Sequence, residues 1–173
     1  MPLFSFEGHE PVIAPSAWIA PTASVVGNVV VEENASIWFN VVLRADFDKI
    51  IVRAGANVQD GSVIHCGIKP AVIGAGATVG HSCTIHGATI GEEALIGNGA
   101  IVLDGAVIGS RTLVAAGSVV SPNTVLPDDV LAIGAPARVR GPLTGQAQQW
   151  VTNNPAAYRE LARRYAAGSN VIS

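Results

Sequence analysis

The chain repeats an aliphatic residue every six positions over most of its length. Residues that hold this position are Ile13, Ile19, Val25, Val31, Ile37, Leu43, Val52, Val58, Ile64, Ile73, Val79, Ile85, Ile90, Ile96, Val102, Ile108, Val114, Val120 and Leu126. Four positions later the residue is Ala, Ser, Thr or Cys in 14 of the 19 repeats. A period of six fits neither a lone helix nor a plain strand, but it is typical of short strands joined at regular corners.

Three such repeats complete one coil of a triangular helix. The aliphatic side chain points inward, the small residue fits a tight corner, and glycines such as Gly99 permit unusual backbone angles at corners. Coils stacked about 4.8 Å apart bury a continuous apolar column that no single repeat can bury alone. We therefore predict an all-β parallel β-helix over about residues 11–131 rather than a β-sandwich, whose strands do not keep one period for so long.

The character of the sequence changes after the repeat. Asn154-Pro155 supplies a helix cap and first turn, and Gly168 supplies a stop, so residues 156–167 are predicted to be helical. This helix lies within a helical segment of about residues 146–168 that packs on the β-helix. We expect Trp150 to help anchor the segment.

Composition limits the function classes. A chain of 173 residues and 17.7 kDa fits one domain over residues 1–173. The chain has 10 basic and 13 acidic residues, and its lysines and arginines form no cluster, which disfavours a nucleic-acid partner. No apolar run approaches the ~20 residues of a membrane span, and no targeting segment is visible, so a cytoplasmic protein without a membrane partner is expected. The two cysteines are expected to be reduced.

Three of the four histidines fall in the middle of the repeat. His65 follows Ile64 and His86 follows Ile85, so the two occupy equivalent positions one coil apart if the insertion near residues 69–71 bulges outward. At the coil spacing, two imidazoles can converge on one metal ion with bonds of ~2.0 to 2.1 Å. His81 belongs to another side of the triangle and cannot easily reach the same ion.

A neighbouring subunit would supply the third histidine. Three triangular prisms around a threefold axis bring one side of each subunit against a different side of the next, which is a heterologous contact. The register therefore predicts a homotrimer with three sites.

The same register places other polar residues near the histidines. Arg44 precedes His65 by one coil, and Asp60 precedes His81 by one coil. We expect Arg44 and Asp60 to form an ion pair between subunits. Gln59, beside Asp60, is expected to point toward the same region.

Several motifs resemble the γ-class carbonic anhydrases, and more closely their compact bacterial relatives. They are Arg44-Ala45-Asp46, the run from Asn57 to His65, and the GHxxxxHG run from Gly80 to Gly87. The resemblance covers roughly residues 10–165. It implies a left-handed β-helix, a homotrimer, and zinc held by interfacial histidines, with iron(II) or cobalt as alternative ions.

The resemblance also implies residue roles. His65 and His86 of one subunit and His81 of the next would bind the metal ion. Gln59 would hydrogen-bond the metal-bound water, and Arg44 and Asp60 would tie subunits together. Tyr158 would border the pocket or pack on the helix face. The implied reaction is the reversible hydration of carbon dioxide to bicarbonate.

The sequence also departs from well-studied members of this family. An acidic loop is missing, since only fifteen residues separate His65 from His81, and Phe47 stands where a glutamate shuttles protons in those members. Alternative functions are a hexapeptide-repeat acyltransferase, whose terminal pattern resembles residues 134–138, a metal-dependent acyl-CoA thioesterase, and a non-catalytic metal-binding scaffold. A purely structural role is expected for His9, Cys66 and Cys83.

Overall fold

A computed structural model describes residues 2–168. It contains strands followed by one C-terminal helix. The elements are β1 (Leu3–Phe4), β2 (Val12–Ile13), β3 (Trp18–Ile19), β4 (Ser24–Val31), β5 (Ser36–Ile37), β6 (Val42–Val52), β7 (Asn57–Val58), β8 (Val63–His65), β9 (Ala71–Ile73), β10 (Thr78–Val79), β11 (Thr84–His86), β12 (Thr89–Ile90), β13 (Leu95–Ile96), β14 (Ile101–Val102), β15 (Val107–Ile108), β16 (Leu113–Val114), β17 (Val119–Val120), β18 (Val125–Leu126), β19 (Val130–Gly134), β20 (Ala137–Pro142) and α1 (Gly145–Gly168).

The strands form a parallel β-helix of about seven coils, which confirms the predicted fold class. Its first side contains β8, β11, β14 and β17, its second side β9, β12, β15 and β18, and its third side β7, β10, β13 and β16. β4 and β6 run around the corner between the first and second sides and join them into one sheet. Parallel pairing extends from β1, which begins at Leu3, to β19, which ends at Gly134, slightly beyond the predicted limits of about 11–131, and β20 then pairs antiparallel with β19.

The repeated aliphatic residues form the core. Ile64, Ile85 and Val102 lie one above another on the first side and are fully buried. Corner residues such as Ala77 and Cys83 are also buried. They are small because a larger side chain would not fit between the sides. Each coil is too thin to exclude water alone, so burial depends on the coils above and below.

Two insertions bulge outward, and the inward aliphatic residues on either side of each still stack on those of the next coil. In β6, Ala45 pairs with Gly27 and Ile50 pairs with Val29, so residues 46–49 leave the ladder. Residues 66–70 likewise form a bend between β8 and β9. Both flanking strands stay in register with the next coil. The predicted outward bulge near residues 69–71 is therefore confirmed, and both insertions lie beside His65.

The helix spans the whole predicted helical segment of about 146–168 and not only residues 156–167. α1 starts at Gly145, so Pro155 lies inside it and Asn154 is not its cap. A proline in a helix interior removes one backbone hydrogen bond, and burial of Val151 and Pro155 against the third side offsets that loss. The predicted start at residue 156 is wrong because tertiary packing outweighed the local capping signal.

Aliphatic and aromatic contacts hold α1 on the third side. Leu143 and Val151 pack on Leu95 and Leu113 near its start. Near its end, α1 contributes to an aromatic cluster that comprises Trp18, Trp38, Phe39, Tyr158 and Tyr165. Trp150 does not serve as the expected anchor, because it is 52% exposed. Among the described residues, no helix is long and apolar enough to span a membrane.

The corner after the second side depends on a column of glycines. Gly74, Gly91 and Gly109 follow the inward aliphatic residue in three successive coils. A Cβ atom on Gly91 would lie 2.6 Å from the backbone nitrogen of Ser110 and 2.7 Å from the carbonyl carbon of Gly109. The close approach of one backbone to the next therefore requires glycine here.

We expect Gly91→Ala to lower the free energy of unfolding by about 1–3 kcal/mol, because the added methyl group pushes two coils apart. Chemical denaturation measures the change. Gly168→Ala is the matched control, since nothing lies within 4 Å of its added Cβ atom. Equal stability of the two variants would contradict this description of the corner.

Candidate metal centre

His65 and His86 lie side by side on the first side of the β-helix. They are paired residues of β8 and β11, and Arg44 pairs with His65 in β6, so the predicted column is present. His65 Nδ1 lies 2.9 Å from His86 Nε2. One nitrogen of each imidazole therefore faces the other ring.

The second nitrogen of each imidazole contacts a carboxylate. His65 Nε2 lies 2.7 Å from Asp46 Oδ1, and His86 Nδ1 lies 2.8 Å from Asp104 Oδ1. Burial raises the pKa of the Asp46 carboxyl, but hydrogen bonds from His65 and Arg44 outweigh it and hold that pKa below its usual value. Because an ionised carboxylate only accepts hydrogen bonds, the proton of a neutral His65 lies on Nε2.

The two facing nitrogens then carry lone pairs. When His65 Nε2 and His86 Nδ1 donate to their carboxylates, the nitrogens 2.9 Å apart both lack a proton in the neutral rings. Such an arrangement needs a proton or a cation to hold it together. Two nitrogens bound to one ion at ~2.1 Å in a tetrahedral site are about 3.4 Å apart, which a small rotation of the rings would achieve.

His81 lies in the turn after β10, at the corner between the third and first sides. Its Nδ1 lies 3.0 Å from Asp60 Oδ2, so this histidine also has a carboxylate on one nitrogen. Within residues 2–168 of a single chain, no three histidine, cysteine or carboxylate side chains are close enough together to hold a metal ion. One chain thus brings together His65 and His86 but not His81.

Arg44 contacts a different carboxylate from the predicted one. Within the chain it forms an ion pair with Asp46, two residues away, while Asp60 contacts His81. The predicted ion pair of Arg44 with Asp60 would join neighbouring subunits. It is not a contact within one chain, so it stays a prediction.

A buried chain of hydrogen bonds orients Gln59. Gln59 Nε2 donates to Asn57 Oδ1 at 3.0 Å, and Asn57 Nδ2 donates to Thr78 Oγ1 at 2.9 Å. All three residues are almost fully buried. Because its amide nitrogen is engaged, Gln59 can present its carbonyl oxygen as an acceptor toward the adjacent groove.

This groove lies between α1 and the third side and has a volume of about 540 Å³. Gln59, His81 and Tyr158 line it, so the structure places Tyr158 beside two other predicted site residues. Tyr158 also packs edge-on against Trp38, with ring centroids 5.5 Å apart. Burial raises the pKa of the Tyr158 hydroxyl, and the Asp60 carboxylate adds a smaller effect in the same direction.

Sequence reasoning missed three residues that support the site. Asp104 comes one residue after Leu103, the position one coil beyond His86, so counting repeats alone does not place its carboxylate on His86. Asp46 was part of a recognised motif, but the bulge in β6 that turns it toward His65 has no clear sequence pattern. Asn57 lies two residues before Gln59, on the same face of a strand by alternation.

The fold and the repeat define a class of proteins. Residues 87–122 match the family model described as bacterial transferase hexapeptide (six repeats). A solved Bacillus cereus structure, provisionally named an acetyltransferase, is 37% identical with a TM-score of 0.93, and covers 95% of this chain and 96% of that one. A hexapeptide transferase family protein from Anaplasma phagocytophilum is also 37% identical, with a TM-score of 0.91 over 95% of this chain and 98% of that one. The chain is therefore a hexapeptide-repeat β-helix protein.

Sequence relatives narrow the class further. The carbonic anhydrase of Geobacillus kaustophilus is 41% identical over 82% of this chain and 79% of its own length. Gamma carbonic anhydrase 1, mitochondrial, of Arabidopsis thaliana is 37% identical over 91% of this chain, which spans 60% of that relative. Carnitine operon protein CaiE of Citrobacter koseri is 37% identical over 95% of this chain and 84% of its own length. The chain belongs to the γ-carbonic anhydrase family.

We expect Asn57→Ala to destabilise the fold by about 1–3 kcal/mol, because it leaves buried groups of Gln59 and Thr78 without their partner. A double-mutant cycle with Thr78→Val, followed by chemical denaturation, separates the hydrogen bond from the loss of packing. A coupling energy of about 1 kcal/mol is expected. A coupling energy near zero would contradict the hydrogen-bonded chain.

Proposed function

We propose that the protein is a metal-dependent carbonic anhydrase-like enzyme whose sites form between the subunits of a homotrimer. The observation that carries this proposal is the arrangement of its histidines. Each of His65, His81 and His86 has one ring nitrogen on a carboxylate, as metal-ligating histidines commonly do, and keeps the other nitrogen for a metal ion. The lone pairs of His65 and His86 already face each other.

Three neutral imidazoles suit zinc, with iron(II) or cobalt as alternative ions. His65, His86 and the His81 of the next subunit would hold the ion, which would lower the pKa of a bound water to near 7 and make hydroxide available for attack on carbon dioxide at neutral pH. In the neutral rings, the carboxylates of Asp46, Asp104 and Asp60 place the proton on the nitrogen that they contact, which leaves the other nitrogen able to bind a metal ion.

Exposed apolar side chains beside His65 favour a subunit interface on this surface. Ile68 is 99% exposed and Phe47 is 77% exposed, and both lie in the insertions next to His65. The ring of Phe47 has its centroid 6.0 Å from that of His65. Large apolar side chains clustered around a polar site are typical of a protein interface. In a cyclic trimer, two different surfaces meet at each contact. The corner that carries His81 in one subunit would then contact the His65 surface of the next.

The other predicted residues have positioning roles. Gln59, held by Asn57, presents an acceptor oxygen that orients the attacking water. Asp60 orients His81 within its own chain and is available to Arg44 of the next subunit. Tyr158 closes one wall of the groove next to Gln59.

Carbonic anhydrases among the relatives support the reaction, and carbon dioxide and bicarbonate are the proposed substrates. An acyltransferase is the second candidate, because a solved structure with a TM-score of 0.93 is provisionally named an acetyltransferase. The groove lacks the lysine or arginine residues that would bind coenzyme phosphates, since none lines it among the described residues. Its composition favours the anhydrase.

We expect the purified protein to hold about one metal ion per chain, and His81→Ala to lose both the metal and carbon dioxide hydration by at least about 100-fold. Elemental analysis and stopped-flow hydration assays measure the two quantities. His9→Ala is the matched control, because His9 is exposed and lies far along the chain from the site.

The opposite result would identify another function. If the wild-type protein holds no metal and transfers acetyl groups from acetyl-coenzyme A at a rate that His81→Ala does not alter, the proposed function is wrong.

We expect Ile68→Glu to weaken the trimer, because a buried unpaired carboxylate costs several kcal/mol at an interface. Sedimentation velocity over a range of concentrations should detect monomers for this variant at concentrations where the wild-type protein is trimeric. Val125→Glu is the control, since Val125 is exposed on the second side, away from His65. Equal association of both variants would place the interface elsewhere.

A further inference from the structure

The groove between α1 and the third side extends well beyond the proposed metal centre. Its floor is formed by equivalent residues of different coils, each of which directly follows the inward residue of the third side. These residues are Gln59 and, in later coils, Gly97, Ala115 and Ile133. Gln59 and Ile133 are four coils apart, which is about 19 Å at the usual coil spacing. Carbon dioxide, a molecule of three atoms, needs only a small part of this length.

One face of α1 forms the opposite wall. Ala147, Trp150, Asn154 and Tyr158 follow one another at helical spacing and all line the groove. Tyr158 lies at the same end as Gln59, because the later part of α1 packs on the earlier coils. Ala147 therefore lies toward the end that contains Ile133.

The groove changes character along its length. Its polar side chains, Gln59, His81, Asn98, Asn154 and Tyr158, lie toward the proposed metal centre. The remainder is lined by Leu113, Leu131, Ile133 and Trp150 together with alanines, and no lysine, arginine or carboxylate is among the described lining residues. Pockets with an apolar body and a few polar groups at one end bind small amphipathic molecules.

We propose that this groove binds the uncharged apolar arm of an acyl compound, with its carbonyl group at the end that contains Gln59 and His81. The absence of cationic lining residues disfavours a nucleotide or phosphate in the groove itself. An alkyl or aryl acyl group matches the apolar length. The proposal rests on the proposed function only for the chemistry at the polar end, and binding in the groove needs no metal ion.

The test uses two uncharged probes that resist hydrolysis, N-methyloctanamide and N-methylacetamide. Isothermal titration with full-length protein, before and after treatment with a metal chelator, should give at least about 50-fold tighter binding of the longer amide, because six more methylene groups are buried. Trp150 fluorescence should change on binding, and Trp150→Phe should abolish that change.

Two variants of matched size locate the ligand. Ala116 lines the groove and is exposed, so Ala116→Phe should fill the groove without disturbing the core and weaken octanamide binding by about tenfold or more. Ala157→Phe, exposed on α1 but not lining the groove, should bind like the wild-type protein.

Equal affinity for the two amides, or tight octanamide binding that Ala116→Phe leaves unaltered, would overturn this proposal. Neither result would contradict the proposed hydration of carbon dioxide, because the binding of the amides is measured independently of that activity. Conversely, loss of the metal in His81→Ala with retained octanamide binding would leave the groove assignment intact, so failure of each proposal is recognisable separately.

Discussion

Backbone pairing between stacked coils, in parallel register, determines which side chains of this protein become neighbours. Each coil donates its backbone hydrogen bonds to the next, and the pairs Ile64 with Ile85 and His65 with His86 show that the register is kept across an insertion. Because the coil spacing is fixed at about 4.8 Å, any two residues at equivalent positions of adjacent coils become neighbours. The fold thereby converts a distance of about eighteen residues along the chain into a side-chain contact.

The same constraint separates the two halves of the proposed site. A column on one side of the triangle brings His65 and His86 together, but it cannot bring His81 to them from a corner on the other edge of that side. The arrangement leaves two half-sites on each chain, and in both of them a carboxylate contacts one ring nitrogen of the histidine. A cyclic assembly is the simplest way to join unlike half-sites.

Much of the fold could be predicted from the sequence, because period and register are local properties. The column of Arg44, His65 and His86 needed only the count of repeats. The helical segment of about 146–168 was predicted closely, but its continuity was not, since Asn154-Pro155 is a strong capping signal that packing against the third side overrides. The groove was also beyond sequence reasoning, because its width depends on how far α1 stands from the coils and on the exposed position of Trp150.

Subunit mixing shows whether the metal site forms between neighbouring chains. Chains with His81→Ala keep His65 and His86, and chains with His86→Ala keep His81, so each homotrimer should be inactive while mixed trimers regain one intact site. Random assembly of equal amounts should restore about a quarter of the wild-type rate of carbon dioxide hydration, with a matching metal content. If mixing restores neither metal binding nor hydration, the site does not form between subunits.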